Sequence, residues 1–238
     1  MTDPTTRPLT TPLDGAVLVT GGSSGLGAAV IAAVRKRGGT AVALDVAEPA
    51  PGVPWVRADL SDPQAADEAV RAAADEFGPI GAVVTAAGID ACGRLDEVAL
   101  NDWTRVIAVN LVGTAAVVRA ALPLLRAAHG RVVTVASTLG LRAVSDATAY
   151  CASKFGIVGF TRALAAETAG EVGVTLLIPG GMRTPFFDGR TEQYRPGPDA
   201  VLNDPADVAE TVVFALAQPG ACEVRELVVA TSTEPSWP

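Results

Sequence analysis

Short runs of Val, Ile, Leu and Ala alternate along this chain with longer Ala-rich stretches whose apolar residues recur at helical spacing. The runs at 16–20, 40–44, 53–57, 80–85, 130–136, 172–178 and 226–230 are largely apolar and near-continuous, as strands covered on both faces are. Helical patterns fall between them, at 25–37, 63–77, 102–128, 149–169 and 205–217. Strands separated by helices pair in parallel, because a helical crossover carries the chain back to start the next strand in the same direction. Two of the helices have clear start signals, Asp62-Pro63 and Asp204-Pro205, each an acidic N-cap before a proline at the first helical position. The pattern predicts an α/β fold, an open doubly wound parallel sheet of about seven strands with helices on both faces and a ligand crevice at the carboxyl ends of the strands.

No internal repeat or low-complexity linker divides the 238 residues. Residues 14–238 therefore read as one domain, preceded by a tail at 1–13. That Thr/Pro-rich tail has no apolar segment of the export-signal kind, which points to the cytoplasm. The longest apolar stretch, Val106–Val118, is broken by Asn110 and followed by Arg119, short of the roughly 20 residues of a membrane span. No membrane partner is expected. Acidic side chains outnumber basic ones 26 to 18, for a net charge of −8, and nucleic acid is a poor partner because its binding depends on clustered Lys and Arg. Cys92, Cys151 and Cys222 are widely spaced and lack any CxxC pairing, so they read as small reduced fillers, not a metal or redox site. The single histidine, His129, precedes Gly130 at the end of a helical pattern, where capping is its expected role. Only 185–203, rich in Pro and Gly and bearing Phe186, Phe187 and Tyr194, is irregular; it is the candidate lid.

The first strand runs into Thr20-Gly21-Gly22-Ser23-Ser24-Gly25-Leu26-Gly27, which opens the first helix. Glycines at 21, 25 and 27 let the backbone of this loop, Ser23, Ser24 and Leu26 included, turn sharply and approach a pyrophosphate at the helix N-terminus. Asp45 ends the second strand, where a carboxylate meets the ribose 2′-hydroxyl of a dinucleotide. A 2′-phosphate would meet like charge there, which favours NAD over NADP. Together the loop and the acid make the predicted sheet Rossmann-like.

Lysine and tyrosine are each present only twice, as Lys36 and Lys154 and as Tyr150 and Tyr194, and one of each stands in Tyr150-Cys151-Ala152-Ser153-Lys154. A spacing of four residues puts both side chains on one helix face, one turn apart. An ammonium held there favours phenolate over phenol, lowering a pKa normally near ~10 toward neutrality.

In chain order, Gly21-x-x-x-Gly25-x-Gly27, Asp45, Asn110, Ser137, Tyr150-x-x-x-Lys154 and Pro179-Gly180 resemble the single-domain branch of the short-chain dehydrogenase/reductase family, over residues of about 14 to 230. The resemblance implies hydride transfer between a nicotinamide cofactor and a secondary alcohol or ketone. Tyr150 would be the general acid/base, Ser137 would hydrogen-bond the substrate oxygen, and Lys154 would hold the nicotinamide ribose and depress the Tyr150 pKa. Asn110 would anchor the water that relays protons from Lys154. Asp59 and Leu60 would meet the adenine, Ala87 and Gly88 would lie against the adenosine, and Pro179, Gly180, Met182 and Thr184 would form the nicotinamide floor and reach its carboxamide. Ile89, Leu139, Met182, Phe186 and Phe187 are candidate walls of an apolar substrate pocket, flanked by Arg183, Arg190 and Arg195, which either attract an anion or are simply solvated.

The resemblance also implies a homo-oligomer, a dimer or tetramer, built by the long helices at 102–128 and 149–169. Two stretches depart from the family. Thr85-Ala86-Ala87-Gly88 stands where Asn-Asn-Ala-Gly is usual, losing amides that knit the sheet, and Leu227–Pro238 replaces a strand followed by paired glycines. Trp237 in that last segment reads as a subunit-interface anchor or a disordered end. A non-catalytic NAD(H) sensor of the same fold is the alternative function, although its usual mark, a broken Tyr-Lys pair or a missing Ser, is not seen.

Overall fold

A computed structural model describes residues 15–220 and 222–237; the tail expected at 1–13 lies outside them. Strands β1 (Ala16–Thr20), β2 (Thr40–Asp45), β3 (Trp55–Arg57), β4 (Ile80–Thr85), β5 (Arg131–Val135), β6 (Gly173–Pro179) and β7 (Glu226–Val229) form one sheet in the order β3-β2-β1-β4-β5-β6-β7. Every pairing in it is parallel. The order reverses between β1 and β4, so the first loop of the chain opens into the crevice where the two halves of the sheet diverge.

Alternation along the strands sends successive side chains to opposite faces. Leu18, Val42, Val83 and Val132 pack with helices α2 (Pro63–Phe77), α4 (Thr114–Ala128) and α5 (Thr148–Glu167). Val17, Val19, Ala43, Val84 and Val133 pack on the other face with α1 (Gly25–Lys36) and α6 (Pro205–Leu216). Both faces are covered, which is why the strands are apolar almost throughout. The two Asp-Pro signals hold: Asp62 accepts from the Gln64 N–H at 2.9 Å and Asp204 from the Ala206 N–H at 2.8 Å.

The element between β4 and β5 differs from expectation. Helix α3 (Leu100–Ile107), a π-turn (Ala108–Gly113) and α4 form one unbroken run of 29 residues, Leu100–Ala128. An 18-residue window of it has a mean hydropathy of 1.7 and is 44% buried. By length and composition alone this helix is long enough to cross a membrane, whereas counting only uninterrupted apolar residues stops at Asn110. Here it packs against α2, β4 and α5. His129 does end α4, through its backbone: it adopts the left-handed conformation (φ 47°) and donates its N–H to the Arg126 carbonyl. The cysteines are only partly fillers, for Cys151 is buried, Cys92 partly so, and Cys222 exposed.

Candidate active site

The turn between β1 and α1 needs glycine for two different reasons. Gly21 (φ 68°) and Gly25 (φ 51°) occupy the left-handed region, which is accessible to a residue without Cβ. At Gly27 the reason is space, since a Cβ there would lie 2.1 Å from the Gly21 carbonyl oxygen. The Ser24 side chain leaves the helix it precedes uncapped, so the first N–H groups of α1 keep their donors free at the cavity that Ser24 to Gly27 line. This is a cradle fit for a pyrophosphate. Beside it, the Asp45 carboxylate accepts from the Ser23 N–H at 2.9 Å and the Ala47 N–H at 3.0 Å, which fixes it at the rim of the loop.

Across the crevice, Asn110 is turned inward by the π-turn and is 1% exposed. Its Nδ2 donates to the Ile89 carbonyl (2.9 Å) and to Ser153 Oγ (3.0 Å), while Oδ1 accepts from the Ile89 N–H (2.8 Å). The side chain thus ties the loop after β4 to α5. Ser153 in turn donates to the Tyr150 carbonyl at 2.8 Å. Gly88 lies against the same group: a Cβ there would stand 3.6 Å from Asn110 Oδ1 and 3.7 Å from Lys154 Nζ.

Lys154, 5% exposed, donates from Nζ to the Val135 carbonyl at 2.8 Å, and Nζ lies 5.5 Å from the centre of the Tyr150 ring. Burial pushes the Lys154 ammonium down to about 8, against a smaller upward pull from Asp90. Burial likewise pushes the Tyr150 phenol up to about 12; the Ser137 hydroxyl draws it down, Asp90 raises it, and Arg190 lowers it. The expectation that Lys154 acidifies the phenol is therefore not met here. Desolvation of the phenol is the largest influence on it, and the ammonium is engaged by a main-chain carbonyl. Ser137 follows β5 and caps the short turn Thr138–Gly140, its Oγ accepting from the Leu139 N–H at 3.1 Å.

One cavity of about 500 Å³ joins these parts, running from Gly21 and Ser24–Gly27 past Ala87 and Gly88 to Ser137, Tyr150 and Lys154. Pro179, Gly180, Met182 and Thr184 form another wall, and Leu139, Phe186 and Phe187 line it as expected, whereas Ile89 lines neighbouring cavities. Asp59 and Leu60 do not reach it. Asp59 is exposed and occupied by the Ser61 N–H and hydroxyl, which hold its carboxyl below the usual range, and Leu60 is buried. The unusual Thr85-Ala86-Ala87 stretch keeps one tie to β1, the Ala87 N–H donating to Thr20 Oγ1 at 3.0 Å, while the buried Thr85 hydroxyl has no partner among the described residues.

Two features of the cavity were not anticipated. Arg190 pairs with Asp90 at 2.7 Å and lies 4.8 and 4.7 Å from the ring centres of Phe186 and Phe187. Arg195 is spent on the carbonyls of Arg190 and Asp188. Glu234 and Ser236, from the segment after β7, also line the cavity. A pair a hundred residues apart and a contact from an irregular end leave no periodic trace in a sequence. The only hint was the departure from the family's paired glycines.

The glycine-rich loop and the Ser137, Tyr150 and Lys154 side chains thus open on one cavity, and the chain itself is of the class of nicotinamide-dependent oxidoreductases. Residues 15–195 match the family described as short chain dehydrogenase, and the chain belongs to the short-chain dehydrogenase/reductase family. It is 32% identical over 244 residues to glycine betaine reductase ATRR of Emericella nidulans, a match covering 94% of this chain and 19% of that protein, so the chain spans a minor part of that relative. It is 30% identical over 216 residues to 2,5-dichloro-2,5-cyclohexadiene-1,4-diol dehydrogenase LinX of Sphingobium indicum, covering 83% and 86% of the two chains. A variant of actinorhodin polyketide ketoreductase, solved with NADPH, superposes with a TM-score of 0.83 at 26% identity, covering 95% of this chain and 99% of that one.

Proposed function

We propose that the cavity holds NAD, its pyrophosphate against Gly21–Gly27, together with a secondary alcohol or ketone between Ser137 and Tyr150. The bound nicotinamide supplies or accepts the hydride. Tyr150 gives its phenolic proton to the carbonyl oxygen in reduction and takes the hydroxyl proton in oxidation. Ser137 donates a hydrogen bond to the same oxygen and orients it. Lys154 holds the ribose and hands protons on, and Asn110 keeps the loop after β4 and the first turn of α5 in register with it. The segment 185–203, clamped through Arg190, is the lid that excludes water. Asp45 supports NAD over NADP, since a 2′-phosphate at the rim of the loop would face its carboxylate. The setting is the cytoplasm, where unpaired cysteines stay reduced.

The observation that carries this reading is the single cavity joining the glycine cradle to Ser137, Tyr150 and Lys154. Its test is a screen of secondary alcohols and ketones with both cofactors, followed through nicotinamide absorbance. Turnover is expected, and Tyr150→Phe should abolish it while binding NADH with an affinity close to the parent's. Cofactor binding without turnover across the panel, or a fully active phenylalanine variant, overturns the reading; the first of these results would point to a dinucleotide sensor.

A further inference from the structure

Glu234 lies in the segment that follows β7, and its carboxylate stands over the glycines at the end of β6. Oε2 accepts from the Gly181 N–H at 2.9 Å, and Oε1 accepts from the Ser236 N–H at 3.3 Å and from Ser236 Oγ at 2.6 Å. The approach is close enough that a Cβ at Gly180 would fall 2.4 Å from Oε2. The Ser236 hydroxyl has one hydrogen, given to Glu234, so in its 2.7 Å contact with Thr138 Oγ1 it is the acceptor. The hydrogen bonds therefore run one way, from Thr138, the neighbour of Ser137, through Ser236 to the carboxylate. A further bond, from Arg142 Nη1 to the Pro235 carbonyl at 3.1 Å, pins the segment in place.

An ionised carboxylate has about four acceptor positions and no donor. Among the described residues three donors reach Glu234, and the remaining position belongs to a group lining the same cavity as Ser137 and Tyr150. A ligand filling it must bring a hydrogen. Anionic ligands meet like charge from Glu234; among the described residues lining the cavity, the one guanidinium is paired with Asp90 and covered by two phenyl rings, and the Lys154 ammonium is engaged by the Val135 carbonyl. We infer that Glu234 is a specificity-determining residue that accepts a hydrogen bond from a second hydroxyl of the substrate, and that the substrate class is a neutral diol or polyol oxidised at a neighbouring carbon. This rests on the reading that Ser137 and Tyr150 hold the reacting oxygen.

The test compares cyclohexane-1,2-diol with cyclohexanol, and 2-aminocyclohexanol as a third arm, in the parent, Glu234→Gln and Glu234→Ala. NADH binding in each variant reports whether the fold and cofactor site are kept. The parent should favour the diol by roughly tenfold or more in kcat/KM. Glu234→Ala should lower the diol value by roughly 10- to 100-fold, mainly through KM, and the cyclohexanol value by less than about threefold, the range for one hydrogen bond to a charged group. Glu234→Gln, which keeps the shape and one acceptor oxygen, should fall between them. Equal losses on diol and monoalcohol would show that Glu234 only anchors its segment, and a tenfold preference for the amino alcohol would mean ammonium recognition; either overturns the inference while leaving the Tyr150 reading intact. A parent that turns over none of the three, and no ketone, overturns both.

Discussion

Burial moves the two titrating groups of the cavity in opposite directions, and each shift has a consequence for stability. Lys154 is held at about 8, against 10.5 for an ordinary lysine. Between those values the unfolded chain binds a proton that the folded chain does not, so stability rises with pH across the window, and the cost of burying the charge is fully present only below it. Tyr150, raised from 10.0 to about 12, acts the other way: from pH 10 to 12 the folded chain keeps a proton that the unfolded chain loses, and stability falls. Urea melts of the cofactor-free protein should therefore show the parent gaining on the order of 2 kcal/mol relative to Lys154→Met between pH 8 and 10. A difference that stays flat over that interval removes the buried ammonium. Asp45 supports an independent prediction. With the carboxylate gone, Asp45→Ala should shift the ratio of kcat/KM for NAD over NADP toward NADP by roughly tenfold or more, through lost ribose hydrogen bonding and relieved repulsion. An unchanged ratio places the ribose elsewhere.

At the scale of elements, what the sequence made legible is what local chemistry decides. β1 and β4 have the bounds read from their apolar runs; β1 ends where Gly21 turns the chain in the left-handed region, and β4 ends before the Ala87 N–H is given to the Thr20 hydroxyl. α2 begins at Pro63 because Asp62 caps it. The π-turn at Asn110 was not legible, because it arises from a tertiary demand, the need for a buried amide to satisfy both the N–H and the carbonyl of Ile89. Tyr150 and Lys154 were found from type and spacing, Ser137 from the family resemblance and Arg190 as a flank of the pocket, whereas the pairing of Arg190 with Asp90 and the place of Glu234 in the cavity arise only through the folded topology. The pKa direction of Tyr150 was misread for the same reason, since spacing reports a neighbouring charge and says nothing of burial. The Thr85-Ala86-Ala87 stretch shows a cost that the strand pattern hides, a buried hydroxyl with no partner among the described residues. Replacing it with an isostere that has nothing to satisfy should help, so Thr85→Val should raise the free energy of unfolding by about 1 kcal/mol. A loss of stability instead would reveal a partner for that hydroxyl.

For the molecule as a whole, two of the large apolar side chains that the fold leaves exposed lie on the π-turn and α5. Phe155 is 44% exposed and Val112 is 42% exposed. The two elements are joined tightly there, for a Cβ at Gly156 would meet Leu111 Cδ2 at 2.7 Å, while Gly159, one turn along from Phe155, has open space around its α-carbon. A large exposed ring beside a glycine gap gives a second copy a knob and a hole, and an isologous pairing of this face on itself would bury both. The helical stretches that hold these two elements were expected from the sequence to form the subunit contacts, so we propose a dimer, or a tetramer containing it, joined through the π-turn and α5. Sedimentation velocity at micromolar concentration should give a dimer or tetramer mass for the parent. Phe155→Glu places a charge that must be desolvated where the ring packed, and should move the population to a smaller species while far-ultraviolet circular dichroism stays the same. A monomeric parent, or a glutamate variant with the parent's mass, would exclude this face as the interface.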